Sequence, residues 1–144
     1  MLISSIVREK GTDVFTVSAG LTLEAAAQEL HRRRVGALVV MTDSGQIAGV
    51  FSERDLVREV AKHGGGAALK TRVAEAMSRT VVTVDPNETV DEALSRMTDR
   101  RIRHLPVVAG GQLLGVVSIG DLVKAKIAET EAEADAMKTY IAAS

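Results

Sequence analysis

Two seven-residue stretches carry residue types that could hold an anion or a nucleoside: Gly49-Val50-Phe51-Ser52-Glu53-Arg54-Asp55 and Gly115-Val116-Val117-Ser118-Ile119-Gly120-Asp121. Both fit Gly, two apolar residues, Ser, any two residues, Asp, and both lie where a β-rich run gives way to a helical pattern. Two chemistries fit. Ser at a helix start and Asp three residues on satisfy orphan amides, which is ordinary capping. The same amides and the positive end of the helix dipole also attract an anion, while a carboxylate can accept from both hydroxyls of a ribose. A single stretch is explained by capping. Two stretches, each with Gly three residues before the Ser, favour a site, because Gly weakens a strand end unless something must approach the backbone there. Arg103 and His104 alternate with Ile102 and Leu105 ahead of an apolar run, so at least one of them should project into a cleft. If His104 meets phosphate, its protonation near pH ~6.5 would couple affinity to pH. His31 and His63 read as structural, and Arg32-Arg33-Arg34 and Arg100-Arg101 as solvated helix ends where cations favour the dipole.

Other chemistries lack their parts. Cysteine is absent, which excludes disulfides, thiolate catalysis and Cys-based zinc sites. The three His residues fall in no metal-ligand pattern, Ser52 and Ser118 have no His partner by spacing, and there is neither a phosphate loop ending Gly-Lys-Ser/Thr nor a Gly-x-Gly-x-x-Gly run. The expectation is no enzyme, no metal and no catalytic cofactor. With 18 basic and 19 acidic residues the formal net charge is −1, so the positive excess that drives binding to nucleic acid is missing. Aromatics are 2% of the chain, too few for base-stacking platforms. No apolar run approaches the ~18 residues of a membrane span, and the start MLISSIVREK lacks a signal-peptide pattern. The expectation is a cytoplasmic protein with no membrane partner.

The elements that position these residues repeat. From Val14/Val81 to Arg58/Lys124, with one deletion in a loop, 17 of 44 aligned pairs are identical, against about three from ordinary residue usage. Each copy reads β-α-β-β-α. A short β run, VFTV or VVTV, leads to a helix with apolar Leu23, Ala26, Ala27 and Leu30, or Val90, Ala93, Leu94 and Met97. Thr89-Val90-Asp91-Glu92 fits a capping box. Two β runs follow, Ala37 to Met41 and Ile47 to Phe51 in one copy, Leu105 to Val108 and Leu113 to Val117 in the other, and a last helix opens at Ser52 or Ser118. One copy has too little core to stand alone. The expected fold is α/β (α+β): one module over residues 1–144 with repeats at about 3–62 and 71–126 related by a pseudo-twofold. Two three-stranded mixed sheets would pack face to face with helices outside. Residues 63–70, opening His63-Gly64-Gly65-Gly66, read as a flexible break. The leading segments ISSIVREKGT and VAEAMSRT look equivalent. A C-terminal helix over about 121–142, with Val123, Ile127, Ala134, Met137 and Ile141 on one face, should dock on its own body or on a second subunit.

On these two copies, the RIRHLPVV segment and the GVFSERD and GVVSIGD junctions, the chain from about Ile3 to Lys126 resembles the CBS domain pair, or Bateman module, in its small stand-alone bacterial form. The resemblance implies a sensor, not a catalyst, that binds an adenosine-containing regulatory ligand such as AMP, ADP, ATP, NAD(H) or S-adenosylmethionine between the copies. It implies that Asp121 holds the ribose hydroxyls, and that Ser118 with the amides of Ile119 and Gly120 holds phosphate together with Arg103 and His104. The base would lie near Thr12, Val14, Phe15, Val35, Gly36 and Ala37. A mirror site would use Ser52, Glu53, Arg54 and Asp55 with Thr80, Val82 and Ile102. Where the second copy has Arg103-His104 the first has Gly36-Ala37, so the Asp121 site is expected to be the better mononucleotide site. The resemblance also implies a homodimer and an unidentified effector protein. The alternative is a structural dimerisation or protein-interaction module with no physiological ligand.

Overall fold

The computed structural model describes residues 1–11 and 15–143; the expected site positions Thr12 and Val14 lie outside the described residues. In chain order the elements are α1 (Ile3–Lys10), β1 (Thr16–Ser18), α2 (Leu23–Arg33), β2 (Ala37–Met41), β3 (Ile47–Ser52), α3 (Glu53–His63), α4 (Gly65–Lys70), α5 (Val73–Ala76), α6 (Val90–Arg100), β4 (His104–Ala109), β5 (Gln112–Ser118) and α7 (Ile119–Ala143). The apolar spacing explains the paired helices. Leu23, Ala26 and Leu30 of α2 are buried, as are Val90, Ala93 and Met97 of α6. The Thr22 hydroxyl accepts from the Ala25 amide (3.3 Å) and that of Thr89 from the Glu92 amide (3.1 Å), so both helices open on capped donors. Both end on an arginine in the left-handed region, Arg34 (φ 56°) and Arg101 (φ 54°), whose amides return to carbonyls of the last turn.

The chain divides into two compact units, Phe15–Val81 and Met1–Val14 with Val82–Ser144. In the first, β1 pairs parallel with β2 through the crossover helix α2, and β2 pairs antiparallel with β3. Its core gathers Val17, Leu23, Leu30, Leu38, Val40, Phe51 and Val73. In the second, β4 pairs antiparallel with β5 over a core of Ile3, Ile6, Val84, Met97, Leu105, Val117 and Leu122. The register slips by one residue at equivalent places, between Val40 and Met41 and between Val107 and Val108. The duplication thus extends to the bulge.

The units cut the chain differently from the sequence repeats, because the leading helices are exchanged. The first amides of α1 have no partner within their own helix, and they find carbonyls of the second copy: Ile3 donates to Glu88 and Ser4 to Pro86 (2.9 Å each), while Val90 donates to Met1 (3.0 Å). Helix α5 makes the mirror set with the first copy: Val73 donates to Leu21 (2.8 Å), Ala74 to Ala19 (3.0 Å) and Leu23 to Thr71 (2.8 Å).

Two expectations are corrected. The second sheet has two named strands, not three. Only Val84 of the VVTV run joins it, bridging Val107 in parallel with bonds to Pro106 and Val108 (3.0 Å each): the first copy extends its ladder by the Val39 amide to Phe15 and the Ala19 amide to Met41, and the equivalent residues here, Pro106 and Pro86, have no N–H to donate. The glycine run is not a flexible break: Gly64 (φ 81°) makes the turn, the next two glycines open α4, and Ala68 is fully buried as its anchor. Of the two docking options for the C-terminal helix, its own body is not used along its length, since every residue from 131 to 143 is exposed, which leaves the second subunit.

Candidate functional site

Each Ser-x-x-Asp junction sits where the strand pair hands over to a helix. In the second copy His104 lies opposite Ser118 across β4 and β5, and the Ile119 amide donates to the Arg103 carbonyl (2.8 Å). Arg103, His104, Ser118 and Asp121 are thereby brought together within one unit. The Ser118 amide donates to Asp121 Oδ2 (2.8 Å), and the Asp121 amide donates back to Ser118 Oγ (3.1 Å). This reciprocal pair is the capping arrangement in full. It commits the Ser118, Ile119 and Asp121 amides to the protein itself, so of the donors expected for phosphate the Gly120 amide, at the exposed start of α7, is left without a bond among the described residues.

A residue that the motifs did not single out completes this junction. Lys10, the last residue of α1, places Nζ 2.7 Å from Asp121 Oδ2 and 2.9 Å from the Val116 carbonyl. Burial pushes the Asp121 carboxyl up, but the Lys10 ammonium and the Ser118 amide outweigh it and hold the group below the usual carboxylate range. Among the described residues no bond reaches Oδ1. Lys10 belongs to neither junction motif, and only the exchange of the leading helices brings it to Asp121.

The first copy repeats the frame with a different outcome. Ala37 lies opposite Ser52, and the Glu53 amide donates to the Gly36 carbonyl (3.1 Å). The Ser52 amide donates to Asp55 Oδ2 (2.8 Å), its hydroxyl lies 3.3 Å from the same oxygen, and Arg58 pairs with Oδ1 at 3.0 Å. Both carboxylate oxygens are therefore occupied. Asp55 is buried, and Arg58 reaches on to the Ala76 carbonyl (2.8 Å). Glu53 and Arg54 are exposed.

The remaining expected positions divide between the units. Phe15 and Val35 pack partly buried against the core of the first unit, and the Arg33 guanidinium covers one face of the Phe15 ring at 4.5 Å. Val82 and Ile102 pack against the core of the second, and Thr80 is exposed. At the first basic helix end, Arg32 and Arg33 both bond Glu29. His63 Nε2 lies 3.4 Å from Glu59 and His31 is exposed. The glycines have an internal cause. A side chain at Gly49 would overlap the Ser78 carbonyl, which accepts from Val50, and Met77; at Gly115 it would meet only Val7 at 3.4 Å. The close approach that Gly49 permits is made by the chain itself.

This arrangement of two hairpins with capped Ser-x-x-Asp junctions matches a known profile, the CBS domain, over residues 3–62 and again over 73–128. The chain belongs to the CBS domain family. Pairs of such domains are regulatory modules. This CBS pair is similar to the CBS-domain protein ATU1752 of Agrobacterium tumefaciens, at 42% identity and TM-score 0.84, covering 87% of this chain and 92% of that one. It is also 34% identical to the CBS domain-containing protein YhcV of Bacillus subtilis over 83% of both chains. The CBS pair of protein MJ0100, solved in complex with 5′-methylthioadenosine and S-adenosyl-L-methionine, shares the fold at 21% identity and TM-score 0.79, covering 90% of this chain and 98% of that one. No helix among the described residues is long and apolar enough to cross a membrane, and none of them form a cluster suited to a metal ion.

Proposed function

We propose that this CBS pair is a non-catalytic sensor of an adenosine-containing ligand, of the AMP, ADP, ATP or NAD(H) class, acting in the cytoplasm as a homodimer on an effector protein. The observation that carries the reading is Asp121: a carboxylate fixed by its cap at a helix start, with Oδ1 unbonded among the described residues, and with the Arg103 carbonyl bonded by the Ile119 amide and His104 opposite Ser118 at the same junction. The ribose takes the carboxylate, and the phosphates take the basic residues and the Gly120 amide. Asp55, with both oxygens bound, is the poorer of the two sites. The adenosine compounds bound by the MJ0100 pair support the ligand class. The remaining contacts, Thr12, Val14, Phe15, Val35, Gly36 and Ala37 around the base, rest on the family resemblance alone.

Thermal unfolding of the chain with AMP, ADP, ATP, NAD, NADH or S-adenosylmethionine tests this. A ligand at 100 times its Kd adds about 2.7 kcal/mol, a shift of several degrees for a domain of this size. We expect a selective shift that is lost in Asp121→Asn, whose side-chain oxygen can still accept the Ser118 amide, so that the ligand-free Tm falls only by the loss of the partly exposed Lys10 ion pair. No shift with any ligand at millimolar concentration, with light scattering still showing a dimer, would favour the structural dimerisation module. The exposed apolar residues Val57, Val60, Val123 and Ile127 on α3 and α7 suit that second reading.

A further inference from the structure

We infer that Lys10 sets the charge of the ligand this site accepts: it guards Asp121 when the site is empty and admits a nucleoside only when that nucleoside carries phosphate. The inference rests on the reading of Asp121 as the ribose-binding carboxylate, and it assigns a role to a residue outside both junction motifs.

The geometry is a competition for one oxygen. Asp121 Oδ2 already accepts from the Ser118 amide at 2.8 Å, and the Lys10 ammonium occupies the same oxygen at 2.7 Å. A ribose diol needs both carboxylate oxygens, and Oδ1 alone offers only half of that contact. Lys10 must therefore move off as the sugar arrives. Its alternative partner, the Val116 carbonyl at 2.9 Å, is neutral and cannot replace the lost ion pair. A phosphate on the ligand can, since the displaced ammonium stays within a side chain's length of Asp121. A neutral nucleoside strands the ammonium without a counter-ion, and a cationic one adds repulsion to that cost.

The first copy shows why this device is confined to Asp121. The cation on Asp55 is Arg58, one helical turn along the same helix and tied to the Ala76 carbonyl, so it moves only with its own element. Lys10 instead ends a separate helix, its second partner is the Val116 carbonyl rather than a residue of another element's end, and the residue after it, Gly11, has a φ of 88°, in the region that glycine tolerates best. It is free to swing without disturbing the cap.

Calorimetry of the full chain with AMP, adenosine and S-adenosylmethionine separates the outcomes, using wild type, Lys10→Met, Lys10→Arg and Asp121→Asn. Lys10→Met keeps the length and loses the charge. The expected result is a fall of ten-fold or more in the AMP-to-adenosine affinity ratio, with adenosine binding unchanged or tighter and S-adenosylmethionine binding gained; Lys10→Arg keeps the wild-type ratio. If Lys10→Met alters AMP and adenosine by the same factor, or neither, while Asp121→Asn abolishes binding, the site stands and the role of Lys10 falls. If Asp121→Asn binds AMP as wild type does, or wild type binds none of the three and none of ADP, ATP, NAD and NADH, the site reading falls and Lys10 with it. Circular dichroism of each variant guards against misfolding, and Lys10→Gln replaces Lys10→Met should that variant not fold.

Discussion

At the scale of single residues, the two copies use the same motif for different ends. Asp121 and Asp55 both cap a helix, but one keeps an oxygen open and borrows its cation from α1, while the other is closed by Arg58. Acid sensitivity follows from the carboxyls held low. The Arg96 guanidinium, bonded to both Glu88 oxygens at 2.7 Å, keeps Glu88 below the usual carboxylate range against a smaller opposing effect of burial; at Asp121 burial is the largest single effect, and Lys10 and Ser118 together outweigh it. A carboxyl depressed in the folded state lends its stability above the unfolded value, about 4.3 for Glu, and loses it as pH falls through the folded one. Glu88→Gln should therefore flatten the loss of stability as pH falls below about 4.3, measured by urea unfolding across the acid range, while leaving its slope at neutral pH unchanged. The junction motifs, the capped helices and the basic helix ends were legible in the sequence because each is a local device read within a few residues. Lys10 on Asp121 was not, since nothing within 100 residues of Asp121 announces the helix that delivers it.

At the scale of elements, two glycines at equivalent positions carry different loads. Both stand three residues before a junction serine, yet Gly49 is crossed by the Ser78 carbonyl and the Met77 side chain, and Gly115 only touched by Val7. Gly49→Ala should destabilise by about 1–3 kcal/mol, as overpacking against fixed backbone does, whereas Gly115→Ala should cost under about 1 kcal/mol because the Val7 methyls can shift. Equal costs in denaturant unfolding would mean that the Ser78 carbonyl yields. The β-α-β-β-α order was legible from period and turn residues, but two elements were not. Composition alone made the glycine run look loose, when burial of Ala68 turns it into α4. The VVTV run has the strand pattern, but only Val84 pairs, because Pro86 and Pro106 lack the amides with which the first copy extends its ladder.

For the molecule as a whole, the organising fact is the exchange of leading helices. Ile3, fully buried among residues of the second copy, and Val73, fully buried among those of the first, each complete a core that their own copy does not own. Cleavage in the exposed Gly64-Gly65-Gly66 turn should therefore leave two fragments that remain associated in gel filtration, with a Tm lowered but a single transition. Separation of the fragments under native conditions would show that the exchanged helices bind too weakly to hold them. Duplication was visible in the sequence as 17 identical pairs, but the swap was not, because equivalent segments look the same whichever core they enter. A chain with only one copy would expose an empty berth where a leading helix belongs, and could fill it only by trading helices with a second molecule, at a concentration-dependent cost. Joining two copies through a short connector makes that trade unimolecular, with an effective concentration set by the tether, so the tandem gene encodes a dimerisation already completed.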